Sequence, residues 1–102
     1  MLGTKKALFL IELGSYETAI DAFNKLIELN PQNASAWYGK GLVLNELGSY
    51  ETAIDALNKS IELNPQNGHT WYEKSRSLKL LGRAADAKAA FAMAKNKGYI
   101  GS

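Results

Sequence analysis

Apolar side chains recur at steps of three and four residues along most of the chain, a spacing that is typical of amphipathic helices. Between residues 35 and 47 this spacing joins Trp37, Leu44 and Leu47. Between residues 50 and 63 it joins Tyr50, Ala53, Ile54, Leu57, Ile61 and Leu63. No segment has the two-residue alternation of a half-buried strand, so the pattern predicts an all-α protein.

Glycine and proline residues mark where these helices end. Gly48 can adopt the positive φ that stops a helix, and Ser49 is a residue type that caps the next one. Asn64-Pro65 ends that second helix, since proline cannot continue a helix and disfavours helical geometry in the residue before it. The same signals stand at Gly14-Ser15 and Asn30-Pro31, so we expect the first helix to break at Gly14.

An internal repeat of 34 residues organises the whole sequence. Residues 13–33 and 47–67 differ only at Phe23/Leu57 and Leu26/Ser60. A third, more divergent copy follows at the same spacing, because Trp71-Tyr72 repeats Trp37-Tyr38. Periods of this size indicate stacked supersecondary units. The sequence therefore predicts one domain over residues 1–102, with repeats at approximately 1–33, 34–67 and 68–102.

The order and spacing of large and small residues in the repeat resemble the tetratricopeptide repeat family. In the second copy these residues are Trp37, Tyr38, Gly39, Lys40, Gly41, Leu44, Gly48, Tyr50, Ala53, Leu57 and Pro65. The resemblance implies an α-α superhelix, or solenoid, of three antiparallel helix pairs. The copies at the two ends depart from the pattern, with Gly3 in place of tryptophan in the first and Ser75, Ala84 and Tyr99 in the third. The first copy also begins part-way into its first helix.

Composition excludes several classes of function. The chain has no cysteine, which excludes a disulfide framework, a thiolate metal site and a cysteine nucleophile. The longest apolar run, residues 7–11, is too short to span a membrane, and no leader precedes it. We therefore expect a soluble, cytoplasmic protein that does not insert into membranes.

Charge is unevenly distributed although the net charge is only +2. Residues 1–67 carry five Lys against eight Asp/Glu, a net −3, and residues 68–102 carry seven Lys/Arg against two acidic residues, a net +5. The basic end is either a solvated face or a docking surface for an acidic partner.

No residue constellation indicates catalysis or a cofactor. His69 is the only histidine, so it cannot form half of a zinc site, and it is either a surface residue or a ligand contact. Glu51 and Asp55 lie one helical turn apart, but the same pair recurs in the first repeat as part of a solvated face. We expect no enzyme activity, no metal and no cofactor.

The resemblance further implies that the first helix of each repeat lines a concave groove that binds peptides. The groove residues expected from the repeat register are Leu8, Ser35, Tyr38, Leu42, Asn45, His69, Tyr72, Arg76 and Lys79, together with Thr4 and Ile11. This surface changes from apolar to basic and aromatic, which suits a peptide with an acidic end. The carboxylate clamp of family members that grip chaperone tails is not matched at Thr4, Leu8, Gly39, His69 and Glu73.

Three functions are compatible with these features. The first is a protein–protein interaction module that holds a peptide or partner segment in the groove. The alternative is a structural or self-assembling repeat fragment, engineered or recently duplicated, that forms homo-oligomers through uncapped terminal repeats. RNA binding is disfavoured, because the groove residues do not repeat as a code and the first two repeats are acidic; we therefore expect no nucleic acid partner.

Overall fold

A computed structural model describes the backbone of residues 2–101 and the side chains of residues 14–101. Residues 2–101 form five α-helices and no strand. The helices are α1 (Leu2–Leu29), α2 (Ala34–Glu46), α3 (Tyr50–Leu63), α4 (Gly68–Leu80) and α5 (Ala84–Asn96). The predicted all-α repeat solenoid is confirmed, and the predicted helix over residues 50–63 has the bounds of α3.

Helices of one repeat pack as pairs, and successive repeats stack on each other. α2 packs on α3, α4 packs on α5, and α4 also packs on α3 of the preceding repeat. One buried cluster joins Leu44, Ala53 and Ala56, and Ile20 and Trp37 pack against it. A second cluster joins Ile54, Leu78, Ala87 and Ala90, with Trp71 and Leu81 against it. The core therefore runs through the stack as one cluster for each junction between repeats.

Two glycines of α2 allow close contacts with the neighbouring helices. A Cβ atom placed on Gly41 would lie 2.6 Å from the side chain of Leu57, which is 0% exposed. A Cβ atom on Gly39 would overlap the ring of Phe23. No larger residue fits at either place without displacing its neighbour. These two glycines therefore set the distance from α2 to α1 and to α3.

The helix ends agree with the predictions in part. Gly48 and Gly82 have φ values of 82° and 83°, as expected of glycines that end a helix. The predicted cap at Ser49 is wrong, because its side chain makes no capping hydrogen bond to α3. Asn33 and Asn67 cap α2 and α4 instead, where their Oδ1 atoms accept from the amides of Ala36 and His69 at 3.1 and 3.0 Å.

The predicted break at Gly14-Ser15 is also wrong, since α1 runs through both residues as a single helix of 28 residues. The first repeat is therefore not a folded helix pair, although its sequence from 13 to 33 nearly equals that of 47–67. The Gly-Ser signal alone does not decide between a turn and a continuous helix, because a short turn forms only where the helices on its two sides can pack on each other. Gly3 stands where Trp37 and Trp71 occur in the later repeats, so residues 2–13 carry no corresponding indole.

Those indoles hold consecutive repeats together. Trp37 Nε1 donates to the carbonyl oxygen of Pro31, and Trp71 Nε1 donates to that of Pro65, each at 3.0 Å. The rings are partly buried, with Lys40 Nζ 5.5 Å and Lys74 Nζ 5.4 Å from the respective ring centroids. The two tryptophan side chains thus act in packing between repeats.

Candidate binding groove

The predicted groove residues lie mainly on α2 and α4, the first helices of the second and third repeats. Tyr38, Leu42, Tyr72 and Arg76 are partly buried; Ser35, His69 and Lys79 are exposed; and Asn45 is 2% exposed. Leu8, Thr4 and Ile11 lie outside the residues whose side chains the structure describes. The structure brings Asn45 together with Arg76, and His69 together with Tyr72, through side chains that the sequence did not single out for the groove.

A buried polar network connects α2 to α4. Asn45 Nδ2 donates to the backbone oxygen of Glu73 at 3.2 Å and to Glu73 Oε2 at 3.1 Å. Ser77 Oγ donates to Asn45 Oδ1. Because Asn45 is buried and both of its amide atoms are paired within the protein, its amide fixes the register of the two helices.

Arg76 extends this network to the surface. Its guanidinium contacts Glu73 Oε2 and Glu46 Oε1, each at 3.2 Å. Burial alone would lower the pKa of Arg76, but the neighbouring Glu73 and Glu46 carboxylates outweigh it and raise that pKa. Burial, followed by the Glu73 charge, also raises the pKa of Tyr38. Arg76 is therefore a fixed cation whose charge is already partly balanced by the protein's own carboxylates.

An aromatic cluster lies at the other end of α4. Tyr99 stacks on Tyr72 with ring centroids 4.4 Å apart and an angle of 12° between the planes. Its ring also meets His69 and Phe91 edge-on, at 5.5 and 6.1 Å. Gly98, with a φ of 96°, turns the chain so that Tyr99 reaches α4. The sequence showed Tyr99 only as a departure from proline, and the contact with Tyr72 could not be read from it.

A cleft of about 700 Å³ opens between α4 and α5, and we call it the α4–α5 cleft. It is lined by Tyr72, Ser75, Arg76, Lys79, Ala84, Ala85, Ala87, Lys88 and Phe91. Three of these residues are cations, and the two aromatic rings provide apolar surface. Three predicted groove residues, Tyr72, Arg76 and Lys79, therefore line the same cavity.

Comparison with the second repeat shows which kind of element packs at the place that corresponds to the cleft. Ala87 and Phe91 stand 34 residues after Ala53 and Leu57. Ala53 and Leu57 are both 0% exposed in an interior repeat that has α4 packed against it, whereas Phe91 is only partly buried. The cleft therefore corresponds to the place where, one repeat earlier, α4 packs on the second repeat, and it is a place where a helix can pack.

A smaller cleft of about 400 Å³ lies between α3, α4 and α5. Its lining includes Trp71, Lys74, Arg83 and Asp86, of which Arg83 and Asp86 form an ion pair at 2.8 Å. Burial and the Arg83 charge lower the pKa of Lys74, and Asp86 opposes this change. None of the predicted groove residues lines this cleft.

No helix within the described residues is both long enough and apolar enough to cross a membrane.

A family model described as tetratricopeptide repeat matches residues 4–68. No curated protein sequence matches the chain.

Several solved structures of MamA are similar to this chain. One MamA crystal structure is 30% identical over 90% of this chain, with a TM-score of 0.79, and 53% of that chain is covered. The structure titled MamA AMB-1 is 26% identical over 85% of this chain, with a TM-score of 0.78 and 52% of that chain covered. The one titled MamA MSR-1 is 26% identical over 92%, with a TM-score of 0.78 and 54% covered. The chain thus spans about half the length of these MamA chains.

Proposed function

The chain belongs to the tetratricopeptide repeat family, and from this premise we propose that it is an interaction module that holds a helical peptide segment of another protein in the α4–α5 cleft. The cleft carries the proposal because it corresponds to the surface on which α4 packs one repeat earlier, and because it contains three of the predicted groove residues. An amphipathic helix would place its apolar side on Tyr72 and Phe91, in the manner of helix-in-groove recognition.

The charge of the cleft favours a peptide with an acidic end. Within the described residues, no salt bridge involves Lys79 or Lys88, whereas Arg76 is engaged by Glu46 and Glu73. Two cations of the cleft lining, one on α4 and one on α5, are therefore available to carboxylates of a partner. Exposed charges at a binding surface contribute mainly to the association rate and to the choice of partner, while the apolar contacts supply most of the affinity.

Tyr38, Leu42 and Ser35 extend the proposed surface from the cleft along α2. Asn45 takes part indirectly, since its amide holds Glu73, which in turn holds Arg76. The proposed contacts with the peptide are thus made by Tyr72, Arg76, Lys79, Lys88 and Phe91, with His69 near the stacked Tyr99 at the far end of α4.

Binding of a labelled amphipathic helical peptide with glutamates at one end, measured by fluorescence anisotropy, tests this function. A peptide of the same length with lysines in place of the glutamates is the comparison. We expect the acidic peptide to bind more tightly, and the double variant Lys79→Glu/Lys88→Glu to weaken it by about tenfold, or roughly 1.4 kcal/mol.

The control is Lys25→Glu/Lys59→Glu, which changes the net charge equally at positions 34 residues apart on α1 and α3. Neither lysine lines the cleft. Equal weakening in both double variants would mean that only overall charge matters, and equal affinity for both peptides would refute an acidic preference. Absence of binding by either peptide at millimolar concentration would contradict the proposed function.

A further inference from the structure

Two nearly identical sequence segments bury different amounts of surface. In α3, Ala56 is 3% and Ser60 is 2% exposed; at the equivalent places in α1, Ala22 is exposed and Leu26 is 45% exposed. The difference arises because α2 folds back onto α3, whereas residues 2–13, which we call the N-terminal arm, continue residues 14–29 as one helix. The face of α1 around Ala22 and Leu26 is therefore not covered by the first helix of its own repeat.

The sequence of the N-terminal arm is that of a first helix. At the 34-residue spacing, Leu8, Leu10 and Leu13 correspond to the identical residues Leu42, Leu44 and Leu47, and Ala7 takes the place of Gly41. In the second repeat Leu44 packs in one cluster with Ala53 and Ala56. The register therefore pairs the Leu10 position with Ala19 and Ala22.

Geometry prevents the arm from covering this face within the same chain while α1 is continuous. With a rise of about 1.5 Å per residue, the 12 residues of the arm extend roughly 18 Å beyond Gly14, away from residues 16–29. A second copy does not have this restriction. The two helices of a repeat run antiparallel, so an antiparallel pair of α1 helices restores the missing contacts in both copies at once.

We propose that two copies of this chain exchange their N-terminal arms, so that each arm packs on the Ala22 and Leu26 face of the other copy's α1. The twofold axis passes near Gly14 and Ser15, the midpoint of the helix. A Cβ atom placed on Gly14 would meet nothing within 4 Å, so the surface there is open to the crossing partner helix. The dimer is closed, with the same face used by both copies.

Cross-linking identifies which chain supplies the arm. The protein has no cysteine, so single cysteines can be introduced at Leu10 and Ala22. An equimolar mixture of Leu10→Cys protein and Ala22→Cys protein is treated with a short bismaleimide and analysed on a denaturing gel and by mass spectrometry. We expect a covalent heterodimer joined through these two positions. As a comparison, Leu10→Cys is mixed with Asp55→Cys, an exposed position on α3, and should give no such product.

Two variants of α1 change the balance between a continuous helix and a turn. Gly14→Ala removes a helix-weakening glycine and also disfavours the positive φ seen at Gly48, so we expect it to tighten the dimer by about tenfold. Tyr16→Pro breaks the continuous helix, because its ring clashes with the carbonyl of Glu12, and should abolish the dimer. Tyr50→Pro removes the same side chain at the first residue of α3, where proline is tolerated, and should leave the dimer intact.

Sedimentation velocity over a concentration series reads out these changes. The proposal is supported by a dimer that is tighter in Gly14→Ala and absent in Tyr16→Pro. It is overturned if the chain stays monomeric at 1 mM, if the double variant Leu10→Cys/Ala22→Cys cross-links only within one chain, or if a dimer persists unchanged in Tyr16→Pro. Because the cross-linking assay uses neither proline nor a change at Gly14, it stays decisive even where Tyr16→Pro fails to fold.

Discussion

Asn45 and Lys79 occupy the same place in consecutive repeats but do different work. Asn45 is buried between α2 and α4, where its amide pairs with Glu73 and Ser77, whereas Lys79 is exposed at the rim of the α4–α5 cleft. The repeat register assigned both residues to a groove. In the described structure, the following repeat covers Asn45, whereas Lys79 is not covered. The repeat register alone does not show which of the two positions is covered.

Replacing these two residues with alanine separates structure from binding. Asn45→Ala leaves Glu73 and Ser77 without their partner, so we expect a loss of about 1–3 kcal/mol in the free energy of unfolding. Lys79→Ala should change that free energy by less than about 0.5 kcal/mol, because the side chain is exposed. Urea denaturation followed by circular dichroism measures both. A loss in Asn45→Ala as small as the one expected for Lys79→Ala would contradict a stabilising role of the amide network.

At the scale of helices, the sequence predicts the later elements well and the first one badly. Gly48 and Asn64-Pro65 mark real helix ends, so α3 has the predicted bounds. The identical Leu-Gly-Ser segment makes a turn at Gly48 and none at Gly14, because a short turn forms only where the helices on both sides gain by packing. Asn33 and Asn67 each stand two residues after the proline that ends the preceding helix, and asparagine is a preferred N-cap residue, so the sequence carries the signal for these two caps as well.

The end of α5 offers a test of how a terminal element is held in place. Tyr99 stacks on Tyr72, and its backbone approaches Gly68 so closely that a Cβ atom on Gly68 would lie 2.9 Å from the Tyr99 nitrogen. We expect Tyr99→Ala to lower the free energy of unfolding by about 1–3 kcal/mol, through lost burial and stacking. Ile100→Ala, at a side chain that is 97% exposed, should have almost no effect. Thermal melts of both variants provide the measurement, and equal melting temperatures would mean that the tail does not stabilise α4.

Across the whole molecule, the sequence located one side of the candidate site and missed the other. Tyr72, Arg76 and Lys79 follow from the position of the tryptophan in each repeat, and they line the cleft. Phe91 and Lys88 lie on α5, the second helix of the last repeat. The corresponding positions of the interior repeat belong to its core. The 34-residue register shows that Phe91 corresponds to the buried Leu57, so its partial exposure is a property of the end of the described stack.

The two proposed interactions use opposite ends of the stack and different physical forces, so salt should separate them. The peptide would meet the end with a net charge of +5, and its attraction to Lys79 and Lys88 is screened as the Debye length falls from about 10 Å at 0.1 M to about 3 Å at 1 M salt. The exchanged arms would bury apolar side chains around Leu26, an interaction that added salt does not weaken. Raising sodium chloride from 0.1 to 1 M should therefore weaken acidic-peptide binding several-fold while the dimer dissociation constant stays the same or falls. Anisotropy and sedimentation on one protein sample measure the two constants in parallel, and a dimer that dissociates together with the peptide would mean that charge, rather than apolar burial, holds the two copies together.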